Sequence, residues 1–220
     1  LVIFTVALSG VRKEILGVPF GDFLAPGLII MGMMQNSFAN SSFSLLVGKI
    51  QGTIVDYLMP PLSSAEVLFG LAGAAVTRAV FVGAAIWFAM LFWPGVHVTP
   101  KHIWAILLFG LLGSAMLAFL GVLTSIWAEK FDHTATVTNF IITPLSFLSG
   151  VFYSIDKLPE LFQNISHINP FFYMIDGFRY GFLGKSDGPI TIGLIYLTIL
   201  SIVMWYVAFL LYKKGYKIKS

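Results

Sequence analysis

Long apolar stretches dominate the chain, and charged residues are concentrated in the short segments between them. Four stretches contain no Asp, Glu, Lys or Arg: residues 23–48, 102–128, 133–155 and 188–212. A fifth, residues 67–93, contains one charge, Arg78. Each stretch is long enough to cross a hydrocarbon core of about 30 Å as a helix that rises about 1.5 Å per residue. The pattern therefore predicts at least five membrane-spanning helices.

The chain opens with a further apolar segment, residues 1–9, which is too short to cross a membrane alone. Residue 1 is Leu rather than Met, so we interpret this segment as the end of a first span. A signal peptide is the alternative, but the segment lacks the basic region that precedes the apolar part of such peptides. We expect an all-α integral membrane protein with six transmembrane helices, the first of them truncated.

Composition supports this fold class. Hydrophobic residues make up 58% of the chain and charged residues 10%, and the mean hydropathy is +0.90. Soluble domains contain about 25% charged residues. These values argue against a nucleic-acid-binding module and an ordinary cytosolic enzyme, and the absence of cysteine excludes a disulfide scaffold.

The positions of lysines predict the orientation. Cytoplasmic segments next to membrane helices are enriched in Lys and Arg, and the C-terminal tail carries Lys213, Lys214, Lys217 and Lys219. We therefore place the C-terminus in the cytoplasm. Counting back, the connections at residues 49–66 and 129–132 are cytoplasmic, and those at residues 94–101 and 156–187 are external.

Catalytic and metal-binding patterns are lacking. No Asp or Glu lies within a predicted span, which argues against an embedded protease or a proton-coupled carrier. No two histidines have the helical spacing of metal ligands. Residues 179–186 resemble a phosphate-binding loop, but Arg179 stands where the turn needs glycine. We expect no catalytic site, metal site or cofactor in this chain.

Two connections carry their own apolar patterns. The cytoplasmic one contains Ile54, Val55, Leu58 and Met59 before the helix-stopping pair Pro60 and Pro61, which indicates either a docking surface or a stretch lying on the membrane. A capping box, Ser63 with Glu66, should then start a helix near Ser64 that runs to Trp93.

The external connection predicts two short helices between the fifth and sixth spans. Apolar residues recur at helical spacing after Pro159, and Asn169 with Pro170 should cap and open a second helix that runs to Gly184. We expect both helices to re-enter the outer leaflet, with Asp176 and Arg179 forming an ion pair at i and i+3. A purely structural cap over the spans is the alternative.

Polar residues inside the spans indicate either contacts between helices or a solute path. The second span places Asn36, Ser37, Asn40, Ser41 and Ser44 on one face, and the fifth does the same with Thr136, Asn139 and Thr143. Arg78 either anchors its helix by extending to the inner interface or faces a cavity open to the cytoplasm.

Several strings together resemble one family. They are FLSGVFYSIDKLP at residues 147–159, HINPFFYMIDGFRYGFLG at 167–184, APGLIIM at 25–31, and Met59-Pro60-Pro61. The chain resembles, over essentially its whole length, the membrane permeases of type-2 ABC exporters, and among them the small bacterial YadH-like group. The resemblance implies one permease domain over residues 1–220, a homodimer or heterodimer in the bacterial inner membrane, and a partner ABC ATP-binding subunit that holds ATP and magnesium.

The resemblance also implies roles for individual residues. An ATPase-coupling loop would comprise Asp56, Tyr57, Leu58, Met59, Pro60 and Pro61. An outer re-entrant gate would comprise Asn169, Pro170, Tyr173, Asp176 and Arg179. Residues of the path or of interhelix contacts would be Asn36, Asn40, Ser41, Arg78, Thr136, Asn139 and Thr143.

The expected function is ATP-driven export of a lipophilic, drug-like or lipid-linked glycan substrate, with no catalysis in this chain itself. The alternatives are a passive channel or a solute transporter not coupled to ATP, and an embedded enzyme. A channel would need a continuous polar stripe, and an enzyme would need an ionisable cluster at membrane depth.

Overall fold

The computed structural model describes residues 14–15, 17–93 and 96–217. The predicted first span at residues 1–9 lies outside this part. A short antiparallel ribbon, β1 (Glu14–Ile15) with β2 (Val18–Pro19), precedes the helices. The helices are α1 (Phe20–Gln51), α2 (Val55–Leu58), α3 (Ser64–Leu91), α4 (Ile103–Trp127), α5 (Phe131–Val137), α6 (Thr143–Leu148), α7 (Glu160–Ile168), α8 (Pro170–Leu183) and α9 (Ile190–Lys213).

Apart from that ribbon, the regular structure of the described residues is helical, which agrees with an all-α membrane protein. Within the described residues, α3, α4 and α9 are long and apolar enough to cross a membrane. The 32-residue helix α1 is longer than any of them, but its run of Gln, Asn and Ser makes it less apolar. The count of six spans stays a prediction.

Local sequence signals place most helix ends. The capping box predicted at Ser63 is confirmed, since the Ser63 hydroxyl accepts the Glu66 backbone N–H and the Glu66 carboxylate accepts the Ser63 N–H. At the end of α1, Gly52 adopts a left-handed conformation with φ of 75°. Glycine takes this conformation without steric cost, so the chain can leave the helix there.

The predicted fifth span, residues 133–155, is not one regular helix. After α5 the chain makes a π-helical turn (Thr138–Ile142), and α6 ends at Leu148. Pro144 explains the interruption, because its nitrogen has no hydrogen to donate to the carbonyl of Phe140 and its ring crowds that turn. Residues 149–154 then leave the helix, with Gly150 at φ of 77°.

Helices α1 and α4 form the centre of the molecule, and α3, α8 and α9 pack around them. The two central helices meet closely at Gly121, where an added Cβ would lie 2.7 Å from the Phe38 carbonyl oxygen and 3.0 Å from the Ser42 nitrogen. Only glycine allows this approach of the two backbones. The bundle has two ends, named here after residues that lie there: the Lys49 end and the Asp176 end.

Candidate functional site

Helix α8 is the most deeply buried short element of the structure. Twelve of its fourteen residues are buried, and they pack against α1, α4 and α9. Helix α8 is therefore enclosed by other helices and has no exposed apolar side of its own to place against lipid, and its re-entry into the outer leaflet stays a prediction. Helix α7 does fit an amphipathic surface helix, since Leu161, Phe162, Ile165 and Ile168 are exposed, Leu161 by 68%. The two helices of the connection thus have different environments.

Arg179 brings a positive charge into the packed interior of α8, where it is only 1% exposed. Its Nη2 donates to the Gly150 carbonyl oxygen at 2.7 Å, and its guanidinium lies 3.9 Å from the centre of the Phe23 ring. A Cβ on Gly27 would come within 3.3 Å of the same Nη2. Arg179 therefore joins α8 to the start of α1 and to the turn that follows α6.

Asp176, one turn before Arg179, holds the segment between α8 and α9. Its two carboxylate oxygens accept the backbone N–H groups of Asp187 and Gly188, both at 2.9 Å. Asp187 in turn accepts the Ser154 hydroxyl at 2.9 Å and the Ile155 N–H at 3.1 Å. These contacts link three segments in one polar network, which we call the Asp176 network: Asp176, Asp187, Ser154 and the backbone groups they bind.

The predicted ion pair between Asp176 and Arg179 is not formed. Both residues are described, yet the ion pair within 4.0 Å among the described residues joins Lys217 to Glu129 instead. The reason is geometric, because backbone amides already occupy the Asp176 carboxylate and the Gly150 carbonyl and Phe23 ring occupy the guanidinium. The two side chains act on different segments.

Asn169 caps α8 as predicted, and Pro170 is its first residue. The Asn169 side-chain oxygen accepts the Phe171 N–H, while Nδ2 donates to the Ser149 hydroxyl at 2.7 Å and to the Leu145 carbonyl at 3.2 Å. This cap therefore also ties α8 to α6. Tyr173 lies between α8 and α9, with its ring edge-to-face with that of Tyr196 at 5.5 Å.

At the Lys49 end, the connection of residues 52–62 projects apolar side chains into solvent. Met59 is 76% exposed, and Val55 and Leu62 are also exposed. Asp56, Pro60 and Pro61 are exposed beside them. Ile54 is not part of this exposed set, because it packs against a cluster around Leu45 and Leu68. The side chains of Tyr57 and Leu58 lie outside the described part of the structure.

Lys49 anchors this connection to the central helices. Its Nζ donates to the carbonyl oxygens of Ser125, Ile126 and Ala128, at 3.2, 3.0 and 2.7 Å. Carbonyls at a helix C-terminus lack partners within the helix, and a cation there also compensates the helix dipole. Nearby, the hydrogen bond from Lys217 lowers the pKa of the exposed Glu129 carboxyl.

The polar residues of α1 were predicted to share one face, but the structure places them in two sets. Ser37 and Ser41 are buried, and the Ser37 hydroxyl donates to the Ser114 carbonyl of α4 at 2.6 Å. Asn36, Asn40 and Ser44 lie half-exposed along an adjacent edge. Positions one residue apart differ by about 100° around a helix, which separates the two sets. Ser37 and Ser41 therefore belong to the helix contact, and the asparagines belong to the surface.

The remaining polar span residues lie mostly on the surface of this chain. Thr136, Asn139 and Arg78 are exposed, and Thr143 is half-buried. The Thr136 hydroxyl donates to the Asp132 carbonyl one turn earlier. Among the described residues, no group of three or more His, Asp or Glu side chains could hold a metal ion.

Sequence reasoning missed Lys49 and Asp187. A signal existed for Lys49, since a basic residue in the last turn of a helix often binds terminal carbonyls, but its partners lie 76 to 79 residues away. Asp187 stands before Gly188 and Pro189, which indicates a turn and nothing about Ser154 or Asp176.

Comparisons with known proteins show the family of the chain. Residues 1–183 match the family model described as "ABC-2 type transporter". The inner membrane transport permease YadH of Escherichia coli strain K12 is 35% identical over 205 residues, which cover 93% of this chain and 79% of the relative. Nodulation protein J of Sinorhizobium fredii strain NBRC 101917 / NGR234 is 23% identical, over 87% of this chain and 73% of its own. Nodulation protein J of Rhizobium leguminosarum bv. viciae is 30% identical, over 77% of this chain and 65% of its own. The chain is therefore a membrane permease of the ABC-2 type transporter family.

Proposed function

We propose that this chain is the membrane-spanning subunit of an ATP-driven exporter in the bacterial inner membrane, and that it acts as a dimer of permease subunits. Membership of the family implies pairing with an ATP-binding subunit. In this proposal the chain has six spans, and the Lys49 end with the C-terminus faces the cytoplasm. ATP and magnesium are held by the partner, and the substrate is lipophilic, drug-like or a lipid-linked glycan.

The connection of residues 52–62 carries the proposal. Its exposed apolar side chains are held by tight backbone turns, with the Met59 N–H donating to the Val55 carbonyl at 2.8 Å and the Leu62 N–H donating to the Pro60 carbonyl at 2.7 Å. A loop held by such turns and exposing Met59 is suited to a protein partner, because binding then costs less conformational entropy than binding of an unstructured loop. We assign Asp56, Tyr57, Leu58, Met59, Pro60 and Pro61 to contact with the ATP-binding subunit.

Two further surfaces fit the same function. The half-exposed edge of α1 with Asn36 and Asn40, and the exposed Asn139, present side-chain amides whose full hydrogen-bonding capacity lipid alone would not satisfy. A second permease subunit or a passing substrate would satisfy those groups. The Asp176 network lies at the opposite end of the bundle, where we propose that it fixes α8 as part of the outer gate.

The test is affinity of the purified permease for its ATP-binding subunit, measured with Met59→Asp. Burying a methionine side chain contributes about 1.5–3 kcal/mol, and about 1.4 kcal/mol corresponds to a factor of ten in affinity. We expect Met59→Asp to weaken binding at least about tenfold. Tyr216→Asp is the control, because Tyr216 is exposed at the same Lys49 end but outside the connection.

Unchanged affinity in Met59→Asp, with both variants folded, would refute the docking role and favour a stretch that lies on the membrane. Transport should be measured in the same preparations. Flux that continues in vesicles without ATP would refute export and favour a passive channel.

A further inference from the structure

An apolar crevice of about 320 Å³ lies between α1, α3, α4 and α8, toward the Asp176 end. Its walls are the facing sides of α3 and α4, and its floor is formed by Met33 of α1 and Phe178 of α8. Its lining consists almost entirely of carbon atoms. This volume lies within the range of small-molecule binding sites, about 300–1,000 Å³. The crevice plays no part in the function proposed above.

Two glycines lie where the walls of the crevice meet its floor. Gly83 of α3 and Gly110 of α4 both line it. A Cβ on Gly83 would come 2.6 Å from Met33, and one on Gly110 would come 3.3 Å from Met33 and from Phe178. Glycine at these two positions therefore lets Met33 and Phe178 pack directly against the backbones of α3 and α4.

The crevice lies at the depth of one leaflet. Gly83 is eight residues before the end of α3 at Leu91, and Gly110 is seven residues after the start of α4 at Ile103. At 1.5 Å per residue these distances are about 12 and 10 Å, within the roughly 15 Å half-thickness of a bilayer core. Both helices are apolar enough to span a membrane.

The crevice opens sideways onto the exposed surface of α3 and α4. The wall residues Val80, Ile103, Leu107 and Leu111 are lining residues and are also exposed on the outside of the bundle. The crevice is thus continuous with the exposed apolar surface of α3 and α4. Apolar cavities of this kind do not hold water, and an unfilled cavity forgoes dispersion contacts with its lining. Hydrocarbon chains are the material available at this depth.

A positively charged residue, Lys101, stands next to the crevice in the chain. Lys101 lies between the lining residues Pro100 and Ile103, and its side chain is exposed. Its Nζ donates to the Leu183 carbonyl at 2.9 Å, which leaves two N–H groups for another acceptor. Beside it, the Trp87 indole donates to the Val98 carbonyl at 2.9 Å, so the polar atom of this wall residue is already satisfied. Lys101 is therefore available to an anionic group close to this end of the crevice.

We propose that this crevice binds one acyl chain of an anionic phospholipid from the adjacent leaflet, with the lipid phosphate placed against Lys101. The lipid fills the space between α3 and α4 and contacts Met33 and Phe178 below them. It would thus bridge the outer halves of α3 and α4 to α8.

The experiment uses the purified permease in nanodiscs that contain a phosphatidylglycerol with a photoactivatable diazirine on one acyl chain. Labelled peptides are located by mass spectrometry. Ala84→Phe fills the crevice mouth, since Ala84 lines it and is exposed. Ala85→Phe is the matched control, because Ala85 is the next residue on the same helix, is exposed and does not line the crevice.

We expect labelling of the peptides with residues 80–87 and 103–111 to fall at least fivefold in Ala84→Phe and to change less than twofold in Ala85→Phe. Excess unlabelled phosphatidylglycerol should compete for this label in the unaltered protein, which tests the site without any substitution. Equal labelling in both variants, or label that does not saturate, would overturn the proposal.

A second arm tests the headgroup. Lys101→Gln should reduce the ratio of phosphatidylglycerol to phosphatidylcholine labelling at the crevice at least threefold, because it removes the charge. An unchanged ratio would overturn the assignment of the phosphate to Lys101.

Discussion

Replacing Asp176 by Asn tests whether the Asp176 network holds the connection between α8 and α9. Asp176 is 2% exposed, and each of its carboxylate oxygens accepts one backbone N–H at 2.9 Å. Asparagine keeps the size of the side chain but has one oxygen instead of two. In either orientation of the amide, its NH₂ group must face the N–H of Asp187 or Gly188, so one buried donor loses its acceptor.

The expected magnitude follows from this count. A buried donor left without a partner costs about 1–3 kcal/mol, and the bond retained by a neutral acceptor is weaker than the bond to a carboxylate. We therefore expect the free energy of unfolding to fall by about 2–4 kcal/mol. For a protein of about this size, 1 kcal/mol shifts Tm by about 2–4 °C, which predicts a decrease of roughly 4–16 °C.

Thermal unfolding of the purified permease, followed by intrinsic fluorescence, measures this decrease. Asp156→Asn is the matched control, because Asp156 is an exposed carboxylate in the segment before α7. The control should change Tm by less than about 2 °C, as expected for surface substitutions. If Asp176→Asn and Asp156→Asn unfold at the same temperature, the reasoning that the network stabilises this connection is refuted.

Two further substitutions test the packing of α1 against α4. Lys49→Met removes the donor of three carbonyls at the end of α4 and should lower the free energy of unfolding by about 2–3 kcal/mol. Lys214→Met replaces an exposed lysine and should have little effect. Equal Tm values for the two variants would contradict the anchoring role of Lys49. Gly121→Val should force α1 and α4 apart and sharply reduce the yield of folded protein. Gly70 has open space around it, so Gly70→Ala should be neutral or slightly stabilising. Size-exclusion profiles measure both variants, and a normal profile for Gly121→Val would contradict the close approach of the two helices.

Local signals predicted the long helices well. The span predicted at residues 102–128 is α4, Ile103–Trp127, and the span predicted at residues 188–212 is α9, Ile190–Lys213. Apolar runs bounded by polar residues determine such helices because the backbone must satisfy its hydrogen bonds within the segment. The fifth predicted span, residues 133–155, is helical only as far as Leu148 and contains a π-helical turn before Pro144, since a count of charged residues does not register a missing N–H.

The candidate site was less predictable. The cap at Asn169 depends on the next two residues and was predicted, whereas Arg179 contacts a carbonyl 29 residues earlier and a ring on α1. The i and i+3 spacing of Asp176 and Arg179 suggested a local pair, but backbone groups from distant segments compete for both side chains and bind them. Partners of this kind depend on tertiary packing, which local spacing does not encode.

Lys49 has a mechanical consequence. It lies three residues before Gly52, where α1 ends and the solvent-exposed connection begins, and its three hydrogen bonds fasten it to the end of α4. A force applied to the connection therefore acts on a stiff two-helix strut instead of a single flexible helix end. The packed helices bend little, so most of a displacement at this end would be transmitted along about 30 Å of helix to the other end.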